Sequence, residues 1–170
     1  MPFRLSIFLL LLGFVASCSK PPAWPEIIVK AGSADELAGF RADLGNRFTA
    51  DQLRDFDTAT KELQLDAMNQ GIKTAAEREA AMLRVIDGKT MHEALVAGWR
   101  ARHRRLESES KQISELLAAD QKARDHAVAS GRTPSASVET HLQNEQEILD
   151  RLKRDLAATD QQLAAWGARP

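Results

Sequence analysis

The chain has 170 residues, nearly balanced charge (23 Lys and Arg against 24 Asp and Glu, net −1), one cysteine and no tyrosine. That length holds one domain with a modest core, and with aromatics at 5% the core must be mostly Leu, Ala, Ile, Val and Met. The charge balance argues against a nucleic-acid partner, and one cysteine excludes an internal disulfide framework.

The first element is an apolar run from Leu5 to Val15, preceded by Arg4 and interrupted only by Ser6 and Gly13. It is too short to span a bilayer as a helix and has the length of a signal-peptide core. It closes on Val15-Ala16-Ser17-Cys18, which resembles the bacterial lipobox, where a small residue precedes the cysteine that is lipidated. The resemblance implies cleavage between Ser17 and Cys18, removal of residues 1–17, and covalent lipid on Cys18. Several acyl chains hold a protein to a membrane far more firmly than one myristoyl group. Ser19 stands where enteric lipoproteins kept at the inner membrane carry aspartate, so the resemblance points to the outer membrane, facing the periplasm. Removing residues 1–17 takes away one basic residue, Arg4, and no acidic one, which leaves 22 against 24 and a charge of −2.

Residues 18–25 follow as a tether, with three prolines favouring an extended, semi-stiff spacer. Glu26 to Lys30, with Ile27-Ile28-Val29, is the one stretch that leans toward a strand. The rest reads as helix, in an all-α fold. Capping boxes stand at Ser33…Glu36, Thr49…Gln52, Thr74…Glu77 and Thr90…Glu93, each a Ser or Thr answered by Glu or Gln three residues on. Gly45, Gly71 and Gly88 sit near the preceding helix ends. Leu37, Phe40, Leu44 and Phe48 mark one apolar face, Leu53, Phe56, Thr60, Leu63 and Ala67 a second, and Ala76, Ala80, Leu83 and Ile86 a third.

Two long helices complete the chain. The fourth is expected from about Met91 to Ala129, with Met91, Leu95, Trp99, Leu106, Ile113, Leu116 and Ala123 in its stripe. Ser130 to Pro134 breaks it, Thr133 being the expected N-cap and Pro134 the first helical residue of the fifth. There Leu142, Leu149, Leu156 and Leu163 repeat every seven residues with Val138, Leu152 and Trp166 interleaved, a coiled-coil seam interrupted at Glu145 and Thr159. The helices should reach roughly 50–60 Å and lie antiparallel across their short loop. The organisation is a signal peptide (1–17), a tether (18–25), a small helical base (26–89) and a long helical hairpin (90–170).

Motifs with chemistry are few. Gly88-Lys89-Thr90 matches the tail of a phosphate loop, but Leu83 replaces the required first glycine, and a turn followed by a cap explains the segment. His92-Glu93 begins a zincin helix whose second histidine would fall at Val96. His126 and His141, symmetric about the 133–134 junction and near Asp125 and Glu145, are the weak candidates for a divalent transition-metal site. The alternative is two exposed histidines near a loop. Arg100, Arg102, His103, Arg104 and Arg105 form the densest charge run, read either as a salt-laced face paired with Glu107, Glu109 and Glu115 or as a contact for an acidic partner. No activated nucleophile or privileged carboxylate pair is evident, so an enzyme is not expected, nor any cofactor beyond the lipid on Cys18.

Residues 27–107 resemble a family of small uncharacterised Gram-negative lipoproteins (YafY-like). The resemblance rests on Ala31-Gly32-Ser33-Ala34, Phe56-Asp57-x-Ala59 and Ile86-Asp87-Gly88-Lys89-Thr90-x-x-Glu93. It implies a location and no activity, and such members end soon after the last motif. Phe48-Thr49-Ala50-Asp51-Gln52 is similar to the L-T-x-x-Q element of Spy-type periplasmic chaperones, in one copy and with Phe48 for leucine. These readings lead to a membrane-anchored interaction or structural module. Its expected contacts are Trp99, Arg100, Arg102, Arg104 and Arg105, or the Leu149 and Leu156 seam, engaging an envelope protein or a second copy. A Spy-like chaperone is the alternative.

Overall fold

The computed structural model describes residues 23–170, so Ser17, Cys18 and the signal peptide lie outside the described residues. Five α-helices follow a 3-10 turn at Trp24–Glu26: α1 Ala34–Gly45, α2 Ala50–Asn69, α3 Ala75–Ile86, α4 Met91–Ala129 and α5 Ala136–Ala165. The fold is all-α, a small helical base carrying a long antiparallel hairpin. At about 1.5 Å per residue, 39-residue α4 is about 58 Å long and 30-residue α5 about 45 Å.

The helix starts are governed by their caps. Thr49, Thr74 and Thr90 each accept the amide three residues on, while Gln52, Glu77 and Glu93 return to the cap's own N–H, so two orphan amides are satisfied at each start. Ser33 accepts from the Glu36 amide at 3.1 Å, but the Glu36 carboxylate turns to the Gly32 N–H at 2.9 Å. The α5 start differs from expectation. Its N-cap is Ser135, not Thr133, and the Ser135 hydroxyl bonds Ser137 instead of a backbone amide. Pro134 precedes the helix, half-buried at the hairpin tip.

No strand forms among the described residues. The extended segment expected over 26–30 makes one antiparallel bridge, Ile28 to Thr90, because its partner is the α3–α4 turn and not another strand. The Val29 N–H donates to the Lys89 carbonyl at 2.8 Å, the Gly88 N–H to the Val29 carbonyl at 3.0 Å, and the Met91 N–H to the Ile27 carbonyl at 2.7 Å. Gly88 adopts φ +69° there, a conformation that costs a side-chain-bearing residue. The Asp87 carboxylate accepts the amide of buried Ala31 at 2.9 Å. The motif Asp87-Gly88-Lys89-Thr90 is therefore a buckle closing over the N-terminal segment. Replacing Asp87 by Ala leaves the Ala31 amide without its acceptor and should cost about 1–2 kcal/mol. Asp87→Asn, which keeps an acceptor, should lose less, as read from urea midpoints.

The main core joins base and hairpin. Trp24, Ile27, Val29, Phe40, Leu44, Phe56, Ala59, Leu63, Met82 and Ile86 pack with Met91, Ala94, Leu95 and Ala101 from the first turns of α4. The 89/90 boundary thus divides the sequence but not the core. Trp24 is buried, its ring 4.8 Å from that of Phe48, so the tether expected over 18–25 ends before it. A second, smaller core of Leu117, Leu142 and Leu149, flanked by Ile113, lies out along the hairpin.

Candidate functional site

The helix α4 carries the arginine run past α2 on one side and α5 on the other. Its members are largely engaged within the chain. Glu62 of α2, buried with its side chain 6% exposed, accepts from Arg105 through both oxygens, Nε at 2.9 Å and Nη2 at 2.8 Å. This is the forked geometry for which a guanidinium is suited. Arg102 adds a third contact to Glu62 at 3.3 Å, donates to the Thr159 hydroxyl of α5 at 3.3 Å, and lies over the Trp99 ring at 5.6 Å. The Arg105 guanidinium is pushed upward from its ordinary range, chiefly by its hydrogen bonds to Glu62, with burial opposing and Glu109 adding.

The flanking members behave alike. Arg104 pairs with Asp66 at 2.8 Å, His103 lies 3.2 Å from Asp160, and Arg100 donates to the Arg169 carbonyl at 2.9 Å. Of the expected partners Glu107, Glu109 and Glu115, only Glu109 is paired with the run, to Arg105 at 3.0 Å. Trp99 is half-buried against the main core. The run is thus a clasp in which Arg102 and Arg105 join α4 to Glu62 of α2 and Arg102 also reaches Thr159 of α5, while Arg100 and Arg104, though each has a partner, stay exposed at its rim.

The seam residues have a similar fate. Leu149 is buried and Leu156 half-buried, both on the α5 face turned to α4, so the heptads close the hairpin within one chain. The two polar interruptions also face inward. Thr159, 1% exposed, takes Arg102 and returns its own proton to the Asp155 carbonyl. Glu145, 8% exposed, stands between the Leu142 and Leu149 layers.

At the tip the expected pairing of His126 and His141 does not occur. His126 is exposed, and Asp125 is bound to its neighbour Arg124. The contacts Arg124–Glu139 and Asp120–His141 mark the helix register, which puts residue 126 opposite the start of α5. His141 instead lies 3.1 Å from Asp120 and 3.4 Å from Glu145. Sequence reasoning missed Asp120, as it missed Glu62 and Asp66, because each acts across helices and no local spacing marks it.

Beyond the clasp, Asp66 and Asn69 at the end of α2 last flank α4 near Ser108 and Gln112. From there α4 and α5 continue as a two-helix arm. Leu116, Val128, Val138 and Ile148 on it are each at least 37% exposed. No helix among the described residues is long and apolar enough to cross a membrane. Comparison with protein-family models, curated proteins and solved structures finds no match.

Proposed function

We propose that the chain is an envelope lipoprotein, held at the outer membrane by lipid on Cys18, whose projecting α4–α5 arm binds a protein partner in the periplasm. The arm carries this reading. It extends past the base with a core of only a few leucines, and it presents four large apolar side chains to solvent. A projecting element that the base does not need for its own packing fits an interaction surface better than a catalytic one. The arm is the preferred surface over the Trp99–Arg105 face, since Arg102 and Arg105 of that face are committed to Glu62. The lipobox sequence supplies the membrane attachment.

The Spy-like alternative rests on Phe48-Thr49-Ala50-Asp51-Gln52, a segment fully used as the capping box of α2, with Phe48 against Trp24. The test is photo-crosslinking in the cell from positions 116, 138 and 148, with position 85 on the base as control. One recurrent product confined to the arm positions supports an adaptor. A broad population of unfolded clients moves the chaperone to the front, and capture equal to that at position 85 overturns both. Separately, Cys18→Ser should release the chain from the membrane fraction and abolish fatty-acid labelling.

A further inference from the structure

Near the tip, the fold assembles three metal-ligating side chains that lie 21 and 4 residues apart in sequence. Asp120 comes from α4, while His141 and Glu145 stand one turn apart on the same face of α5. We propose that Asp120, His141 and Glu145 form a binding site for a divalent transition metal such as zinc.

The geometry is the first support. One oxygen or nitrogen from each residue lies within 4.8 Å of the others. Two of the three separations are 3.1 Å (Asp120 Oδ2 to His141 Nε2) and 3.4 Å (His141 Nε2 to Glu145 Oε1). Ligands bound at about 2.0–2.1 Å around a tetrahedral zinc are separated by about 3.3 Å. A small closing movement of Asp120 and Glu145 completes that triangle.

The second support is independent of those distances. Glu145 occupies a seam position, where a coiled coil favours an apolar side chain. It is 8% exposed, and its Oε2 is buried without a hydrogen-bond partner. A buried carboxylate oxygen left unpaired is unfavourable and uncommon. His141 meets only the other oxygen, whereas a dication at the triangle attracts the whole carboxylate. Two carboxylates and a neutral imidazole also balance a charge of +2. Imidazole nitrogen and carboxylate oxygen are both donors that bind zinc and neighbouring first-row metals, with a fourth position left to water. Asp120 and His141 also line a cavity of about 410 Å³ together with Ala123, Pro134 and Val138. A bound ion would link α4 to α5 beside the Leu117–Leu142 layer of the arm's small core.

The experiment uses the full chain purified in mild detergent and stripped with chelator. Helix melting is followed by far-UV circular dichroism, and Co²⁺ serves as a visible-absorbing probe. Excess Zn²⁺ should raise the melting temperature by about 5 °C, and Co²⁺ should give ligand-field bands. His141→Ala and Glu145→Gln should each abolish both responses, while His126→Ala should keep them. Metal-free Glu145→Gln should melt at or above the parent, because its buried charge is gone, which separates loss of the site from misfolding. No shift in the parent, or equal shifts in the parent and both site variants, overturns the proposal.

Discussion

Removing the carboxylate of Glu62 is expected to destabilise the protein by about 3–5 kcal/mol, because it strands two guanidiniums between packed helices. Arg105, with its side chain 18% exposed, loses both arms of its fork and keeps only Glu109. Arg102, at 27%, retains the Thr159 hydroxyl and the Trp99 ring, so Arg105 should account for most of the loss. The informative comparison is between breaking the cluster and replacing it. Desolvation of buried ions offsets much of their attraction, and apolar substitutes of similar volume are often no less stable. Glu62→Ala should therefore be severely destabilised, while Glu62→Leu combined with Arg102→Leu and Arg105→Met should recover most of the parent's stability. Urea unfolding of the parent, Glu62→Ala and the triple variant decides the matter. If the triple variant is as weak as Glu62→Ala, the clasp holds the helices by attraction and its role is not merely to satisfy its own charges.

Gly98→Ala should lower stability by about 3 kcal/mol, although alanine is the better helix former by about 1 kcal/mol. The opposing effect is steric. A Cβ on Gly98 would lie 2.4 Å from the Cα and Cβ of Ala59 and 2.6 Å from its carbonyl oxygen. Here α2 and α4 cross with almost no side chain between them. Most overpacked cores relieve strain through rotamers, at about 1–3 kcal/mol, but two of these three atoms are backbone and cannot rotate aside. The helices must separate, and that loosens the contacts of Phe56, Leu63 and Leu95 together. Adding Ala59→Gly should restore only part of the loss, since the Cα and carbonyl still obstruct. Full restoration in thermal melts would show that the methyl contact alone sets the distance between the helices.

These two positions also show what the sequence could convey. The caps Thr49, Thr74 and Thr90 were readable because a capping box is complete within four residues, and the structure starts α2, α3 and α4 at them. The hairpin was readable because its heptads repeat along one helix. Trp24 was hidden by the prolines around it, whose local preference says nothing of the core the ring enters. Glu62 and Asp66 were hidden for another reason. Their partners stand 43 and 38 residues away, and a charge on a helix looks the same whether water or arginine receives it. The tip pair failed through register: symmetry about the loop placed His126 opposite His141, but side-chain layers, not loop midpoints, align two helices. The residues behind the lipoprotein resemblance have visible structural work in the base. Phe56 fills the core, Asp57 pairs with Arg41 at 2.5 Å, Ala59 makes the crossing, and Asp87 to Thr90 form the buckle.

The buckle ties the chain's first described segment to the start of α4, and α4 runs unbroken from there to the tip. Whatever holds the N-terminal side of the base therefore holds one end of a boom about 58 Å long. A tilt of the base by about 10° would sweep the tip through about 10 Å, by simple proportion to that length. The arm can search a wide shell of space while the base scarcely moves, and its reach is set by the number of residues in one helix.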